Sequence, residues 1–375
     1  MTAHDRPLDP DEMRALAARF RLGGAAVRAE PYGTGHIHDT YAVTLDPPDP
    51  APRCIFQRIN HRIFRDVDRL MANILRVTRH IRDKAHASDF ADAGRATLTV
   101  IPAADGAPYV LTEQGDFWRA YLFIEQARTY DIIGDNRHAY EAGRAFGRFQ
   151  ELLADFPPPP LHETIPRFHD TPARYAAFER AVADDRLGRV RACRPEIAFA
   201  RTLRPFTRLV TDALATGALP LRVTHNDTKI NNVMIDDETG TAVCVIDLDT
   251  VMHGSVLYDF GDQIRTSVGH FDESETDLDR VEVDLDTFAA LARGYIEVAA
   301  TFLTPRETDW LVAGGKLMTF EVGIRFLADF LEGDVYFKIR RERENLDRAR
   351  TQFKLVRSLT ENEERMRRLI AELRK

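Results

Sequence analysis

The chain has 375 residues, enough for two domains or lobes with ample core. Its 44% hydrophobic and 29% charged residues are ordinary for a globular protein, and a net charge of -8 excludes a partner gripped through a surplus of Lys and Arg, nucleic acid above all. Three scattered cysteines, Cys54, Cys193 and Cys244, are too few for a disulfide framework or a zinc site. The first residues lack a basic stretch followed by an apolar one, and no apolar run reaches the length of a membrane span. A soluble, cytoplasmic chain with no membrane partner is expected.

In chain order, residues 10–20 place Met13, Leu16, Ala17 and Phe20 at helical spacing. Tyr32-Gly33-Thr34-Gly35-His36-Ile37-His38 is a turn-forming stretch, followed by strand candidates over 40–45 and 54–59. Residues 66–86 predict a helix with Val67, Leu70, Ile74 and Val77 on one face. Further strands are expected over 96–101 and 117–124. The pattern then turns helical: residues 137–156 carry Tyr140, Phe146, Phe149 and Leu153 as a buried stripe, with Asp135 or Asn136 as cap. Beyond Thr171 the chain is mostly helical, ending in a helix with Met366, Leu369, Ile370 and Leu373 on one face. The order predicts an α+β, bilobal, protein-kinase-like fold. Residues 1–125 are expected to form a small antiparallel-sheet N-lobe that would bind nucleotide, and residues 126–375 a larger, mainly helical C-lobe that would hold the catalytic loop, a metal site and an acceptor pocket.

The most informative segment interrupts the helical half. His225-Asn226-Asp227-Thr228-Lys229-Ile230-Asn231-Asn232 follows a strand-like run and leads into Val233-Met234-Ile235; a turn over 236–240 then returns the chain through Val243-Cys244-Val245-Ile246 to Asp247. An H-x-D-x-x-x-x-N segment followed by a strand ending in Asp is the arrangement of kinase-like phosphotransferases. Asp227 can accept a proton from a hydroxyl nucleophile. The hairpin brings Asn232 and Asp247 to neighbouring strand ends, where amide and carboxylate oxygens suit Mg²⁺. Asp249, two residues on, points to the same face if the segment is extended, and either joins the metal shell or faces solvent. Lys229 is either placed to meet the γ-phosphate or is a surface lysine. Asp259-Phe260-Gly261 spells the metal-binding tripeptide of protein kinases, but Asp259 does not end an apolar strand; it is expected to cap and brace the catalytic loop from a helix N-terminus.

In the N-lobe, Gly33, Thr34 and Gly35 could cover ATP phosphates with backbone N–H groups. The phosphate-anchoring lysine expected on the third strand is replaced by Gln57 or Arg58, and Phe123 and Glu125 lie in the connector expected against the adenine. Arg325, inside an apolar helical run, either pairs with Asp329 or Glu321 in the core or faces a pocket. His162 and His169 read as loop or helix-end residues.

The motif pair resembles that of the aminoglycoside phosphotransferase and choline kinase-like family. Longer stretches are similar to the N-acetylhexosamine 1-kinases within it: residues 31–37, 222–229, 246–250, 258–262, 325–329 and 331–337, covering nearly the whole chain. The resemblance implies transfer of the ATP γ-phosphate to the anomeric hydroxyl of N-acetylglucosamine or N-acetylgalactosamine. It implies Asp227 as base, Mg²⁺ on Asn232 and Asp247, and His36, Arg265, Arg325 and Tyr336 near the sugar. Thr266 and Ala29 stand where family members carry bulkier residues near the pocket, and His253 replaces a proline; these departures bear on sugar preference. A sugar and a nucleotide are the expected partners of a monomer or weak dimer. A kinase of the same fold for another hexose, an amino alcohol or an aminoglycoside is the alternative, with a nucleotide-binding pseudokinase behind it.

Overall fold

A computed structural model describes residues 8–33, 37–46, 52–87 and 92–374. The chain divides into two compact units, Met1–Ala127 and Arg128–Lys375. The first is built on an antiparallel sheet and the second is mainly helical, a mixed α/β architecture.

In the first unit, α1 (Pro10–Ala17) starts with a capping box in which Asp9 accepts the N–H groups of Asp11 and Glu12. Strands β1 (Ala25–Pro31), β2 (Asp39–Asp46) and β3 (Arg53–Ile59) are followed by helix α2 (Val67–Ala87), then β4 (Val100–Ile101), β5 (Val110–Leu111) and β6 (Phe117–Leu122). The sheet order is β1-β2-β3-β6-β4, with β5 paired to β6. Alternation decides the faces. Tyr41, Val43, Leu45, Cys54, Phe56, Trp118 and Ala120 pack against Met13, Leu16 and Ala17 of α1. The opposite face carries Thr40, Gln57 and Arg119, which are cross-strand neighbours. The strand expected over 96–101 shrinks to Val100–Ile101, because the Leu98 carbonyl is taken by the Arg82 guanidinium at 3.1 Å instead of a ladder partner.

Strand β7 (Ala127–Arg128) spans the boundary between the units. The second unit continues with α3 (Asn136–Leu152), capped by Asp135, then α4 (Thr171–Asp184), α5 (Arg194–Thr202) and α6 (Leu209–Ala215). The motif region follows as β8 (Arg222–Thr224), β9 (Val233–Asp236), β10 (Ala242–Val245) and β11 (Met252–Gly254), with β8 paired to β11 and β9 to β10. Helices α7 (Val256–Ser267), α8 (Leu285–Ala299), α9 (Pro305–Glu332), α10 (Glu344–Glu361) and α11 (Glu363–Leu373) complete it. One core gathers Phe260, Ile264, Phe288, Leu291, Tyr295 and Leu317, with Met366 and Ile370 of the last helix; a second joins α4, α5, α9 and α10 through Phe178, Ile197, Phe320 and Phe353. Helices α7 and α9 cross so closely that a Cβ on Gly261 would lie 2.5 Å from the Gly314 carbonyl oxygen, and one on Gly314 would lie 2.5 Å from that of Leu257. That crossing holds the N-terminal turn of α7, and Asp259 with it, against the motif loop.

All three cysteines are buried and unpaired, and burial alone pushes the Cys54 and Cys244 thiols up to about 12. Among the described residues no helix is long and apolar enough to cross a membrane.

Candidate active site

Strand β8 leaves its ladder at Thr224, and the next residues cannot continue it: Asn226 takes a left-handed conformation with φ +66°. Short polar residues tolerate that region better than others because they bond locally, and the Asn226 side chain does so. Its Nδ2 donates to the Thr250 carbonyl at 2.9 Å and its Oδ1 accepts from Thr224 Oγ1 at 3.1 Å. The loop backbone is satisfied by side chains from distant elements. Asp259, in the first turn of α7, accepts the His225 N–H at 2.9 Å and the Asn226 N–H at 2.7 Å. Gln150 of α3 donates to the same carboxylate at 2.7 Å and accepts from Tyr295 Oη at 2.6 Å. Burial pushes the Asp259 carboxyl above its ordinary range, opposed by His225, by the two loop N–H groups and by Gln150. Asp259 thus braces the loop, and the resemblance to a metal-binding tripeptide at 259–261 is incidental.

His225 is fully buried between Phe146 and Phe149. Its Nδ1 accepts the Asp227 N–H at 3.2 Å, and its Nε2 lies 2.9 Å from the Ile246 carbonyl. An amide N–H only donates and a carbonyl only accepts, so the ring carries its hydrogen on Nε2. Asp227 is part-buried, 3.1 Å from Lys229 Nζ. Burial would raise the Asp227 carboxyl, but Lys229, with smaller effects of His225 and Arg265, outweighs it and holds the group below the ordinary carboxylate range. Lys229 is pushed up to about 12 by Asp227, against its own desolvation, with Asp247 and Asp262 adding to the effect. Asn232 Nδ2 donates to the Asp227 carbonyl at 2.8 Å and approaches its carboxylate at 3.3 Å. With the amide nitrogen so engaged, the amide oxygen is the atom left to face a cation.

The hairpin register brings the two strand ends together: Val245 pairs with Val233, and the Ile246 N–H donates to the Asn232 carbonyl at 2.9 Å. Asp247 follows at once, in a left-handed conformation with φ +58°. Asp249 departs from expectation. Leu248–Thr250 is a 3-10 turn, so the alternation of an extended segment does not apply and Asp249 is buried, its carbonyl accepting from Thr164 Oγ1 at 2.7 Å. Among the described residues no group of three or more His, Cys, Asp or Glu side chains could hold a metal.

On α7, Arg265 is buried and committed to two carboxylates, Asp262 at 2.7 Å and Glu273 at 2.9 Å, while the Thr266 hydroxyl turns back to the Asp262 carbonyl at 2.8 Å. Neither of the partners expected for Arg325 in a core pairs with it. Glu321 is taken by His169 and Thr171, and Asp329 collects the N–H groups of Val335, Tyr336 and Phe337 together with the Asn345 amide. The Arg325 guanidinium instead lies against three rings, those of Phe168, Phe337 and Tyr336, at 5.6, 5.5 and 5.9 Å from their centroids. Arg174 stands nearby, donating to the Phe168 carbonyl, its charge disfavoured by burial and by Arg325. Tyr336 is mostly exposed. Sequence reasoning missed His169, whose ring nitrogens lie 2.8 Å from Glu321 Oε1 and 3.0 Å from the Asn226 carbonyl; a lone histidine before a helix carries no local signal of such a contact.

In the first unit, Gly33 has φ +79°, while Thr34, Gly35 and His36 lie outside the described residues. Gln57 is held at both ends: its Oε1 accepts from Arg119 Nε and Nη2 at 2.8 and 2.6 Å, and its Nε2 donates to Thr40 Oγ1 at 3.0 Å. Arg58 lies on the other face of its strand and pairs with Asp39 at 2.8 Å. Arg53 stacks 3.7 Å over the Phe123 ring and forms an ion pair with Glu125.

A loop that turns at one left-handed residue and bears Asp, Lys and Asn, beside an Asp delivered by a hairpin and braced by a buried Asp on the following helix, suits phosphotransferases of the kinase-like fold. Residues 28–294 match the APH phosphotransferase enzyme family, and the chain belongs to that family. Solved structures share the fold at low identity. An aminoglycoside phosphotransferase from Alicyclobacillus acidocaldarius subsp. acidocaldarius DSM 446 is 12% identical, with a TM-score of 0.58 over 98% of this chain and 96% of its own. A choline/ethanolamine kinase family protein from Mesorhizobium loti is 16% identical, with a TM-score of 0.52 over 97% of this chain and 98% of its own. Spectinomycin phosphotransferase, in complex with ADP and spectinomycin, is 12% identical, with a TM-score of 0.58 over 96% of this chain and 99% of its own.

Proposed function

We propose that this protein is an ATP-dependent kinase that phosphorylates the anomeric hydroxyl of an N-acetylhexosamine, N-acetylglucosamine or N-acetylgalactosamine. The observation that carries the reaction type is the trio on one loop: the Asp227 carboxylate, Lys229 Nζ 3.1 Å from it, and the Asn232 amide bonded to the Asp227 carbonyl. Asp227 is kept ionised and ready to accept a proton. The acceptor hydroxyl oxygen forms its bond to the γ-phosphorus, the bond from that phosphorus to the β–γ bridging oxygen breaks, ADP departs, and the hydroxyl proton passes to Asp227. Lys229, beside Asp227, would offset charge on the transferring group; positioning and electrostatics supply most of the acceleration in such reactions. Asn232 and Asp247 fit Mg²⁺, a hard cation that takes few protein ligands and fills its shell with phosphate oxygens and water. Bound there, it would neutralise phosphate charge. Gly33, Thr34, Gly35 and Gln57, with Phe123 and Glu125, form the proposed nucleotide side; the ADP complex of the spectinomycin enzyme supports nucleotide use by this fold.

The identity of the acceptor rests on the sequence resemblance and on one chemical argument. Choline, amino alcohols and aminoglycosides are cations, and an aromatic cluster such as Phe168, Tyr336 and Phe337 is a natural seat for a cation. Here the protein's own Arg325 occupies that seat, with Arg174 beside it. Two guanidinium groups repel a cationic acceptor and supply donors to a neutral polyol and to the carbonyl oxygen of an acetamido group. Arg325 and Tyr336 are the proposed sugar contacts, and a role for His36 rests on the sequence resemblance alone. Arg265, tied to Asp262 and Glu273, and Thr266 would shape the pocket from α7.

The test is ADP release with Mg-ATP against N-acetylglucosamine, N-acetylgalactosamine, glucose, galactose, choline, homoserine and an aminoglycoside. Turnover led by the N-acetylhexosamines, with phosphate located on C1 by NMR, is expected. Turnover confined to a cationic acceptor would refute the acceptor and leave the reaction type standing.

A further inference from the structure

Glu321 lies in the middle of α9, fully buried, yet no Lys or Arg forms an ion pair with it among the described residues. Its two oxygens go elsewhere: Oε1 to His169 Nδ1 at 2.8 Å and Oε2 to the Thr171 hydroxyl at 2.5 Å. Burial alone would raise this carboxyl; His169, Arg325 and Thr171 outweigh it and leave the group below its ordinary range. A buried carboxylate is costly to keep unless its partners are well placed, which raises the question of what the arrangement holds. The far side of the His169 ring answers it. Nε2 reaches the Asn226 carbonyl at 3.0 Å, and a carbonyl only accepts, so this ring nitrogen donates.

The Asn226 carbonyl belongs to the peptide plane that joins the left-handed Asn226 to Asp227. The other polar atom of that plane, the Asp227 N–H, donates to His225 Nδ1 at 3.2 Å. One histidine therefore grips each edge of the plane. His225 lies inside the motif; His169 comes from the segment leading into α4, 57 residues away in sequence, and is backed by α9. Other groups facing the His169 ring are Phe168 and the Tyr258 ring of α7, 5.1 Å away between centroids, and the charged neighbours of this pocket are Asp170, Arg174 and Arg325.

We propose that His169, backed by Glu321, is a positioning residue that fixes the Asn226–Asp227 peptide plane and so aims the Asp227 carboxylate at the acceptor hydroxyl. The proposal rests on the reading of Asp227 as the base. It has a consequence that a general packing role lacks: only the Nε2 contact matters to the plane, and the Nδ1 contact serves to orient the ring.

Two substitutions separate the contacts. The Gln amide nitrogen can take the place of the histidine Nε2, and that of Asn the place of Nδ1. His169→Gln keeps a donor to the Asn226 carbonyl, whereas His169→Asn keeps only the contact to Glu321. The expected result is a kcat for His169→Asn lower by roughly 10–100-fold, the scale of a misplaced reacting group, with the KM for ATP within about twofold. His169→Gln should stay within a few-fold of the wild-type kcat. Hydrogen exchange of the peptide spanning residues 225–229 in the ligand-free protein reads the same plane without an acceptor: faster uptake in His169→Asn, unchanged uptake in His169→Gln. Equal behaviour of the two variants in exchange, or an unaltered kcat in folded His169→Asn, overturns the proposal. Asp227→Asn, assayed alongside, distinguishes the failures: turnover persisting in that variant refutes the base itself, and its loss beside a fully active His169→Asn refutes only the role of His169.

Discussion

The sheet of the first unit and the loop at 225–232 of the second satisfy their backbones in opposite ways. In the sheet, register does the work: Thr40 faces Gln57, Gln57 faces Arg119, and the ladder closes with main chain alone. Its polar side chains bond to cross-strand neighbours, and each contact can fail without unmaking the strands. The loop has no ladder. Its N–H and C=O groups are met by Asp259, His225, His169 and Thr250, from elements separated by up to 57 residues. A loop of this kind is as well placed as the side chains that hold it, and the loss of one leaves a buried polar group without a partner.

The largest expected effect lies at the centre of the loop. Asp227→Asn should lower kcat by about 10³-fold, within the usual range for removing a general base, while ATP binding measured by calorimetry persists. Near-normal turnover would end the assignment. Asp259→Ala comes next, because it strands two loop N–H groups and the Gln150 amide. A loss of about 3 kcal/mol is expected in urea unfolding, accompanied by loss of activity. Gly261→Ala tests whether the α7–α9 crossing sets the position of Asp259. Overpacking against the Gly314 carbonyl should cost about 2 kcal/mol and lower kcat as well as the urea midpoint. The sheet should be milder. Gln57→Ala removes one acceptor of the Arg119 guanidinium and should cost about 1 kcal/mol; an effect as large as that of Asp259→Ala would erase the contrast between the two regions. Least of all, Arg208→Ala breaks an exposed i,i+4 pair with Asp212 and should move the midpoint by less than about 0.5 kcal/mol.

Much of the fold was legible in residue order. Strand-like runs mark β2, β3 and β6, helical stripes mark α2, α3 and α11, and the turn over 236–240 between apolar runs marks the β9–β10 hairpin. The hairpin in turn places Asn232 beside Asp247, because a two-strand register follows from the strands and the turn that joins them. The bracing role of Asp259 was legible from its distance past the hairpin. The extended reading of 247–249 failed because a 3-10 turn follows the left-handed Asp247, and no pattern of polarity announces a single left-handed residue. Arg325 was open between two core partners and a pocket, and both core partners proved engaged elsewhere.

By itself, then, the sequence determined what depends on neighbours along the chain: strand faces, helix stripes and caps, the hairpin, and the chemical identity of Asp227, Lys229, Asn232 and Asp247. Only the tertiary structure decided which distant side chains answer the loop's unmet hydrogen bonds, and so gave His169, Glu321 and Gln150 their places. It also decided that Arg325 settles on aromatic faces while Arg265 is bound by carboxylates. The physical reason is the range of the forces involved. Periodicity reports burial that repeats along one element, whereas a buried donor takes whichever acceptor folding brings within 3 Å or so of it, and that choice leaves no trace in the local pattern.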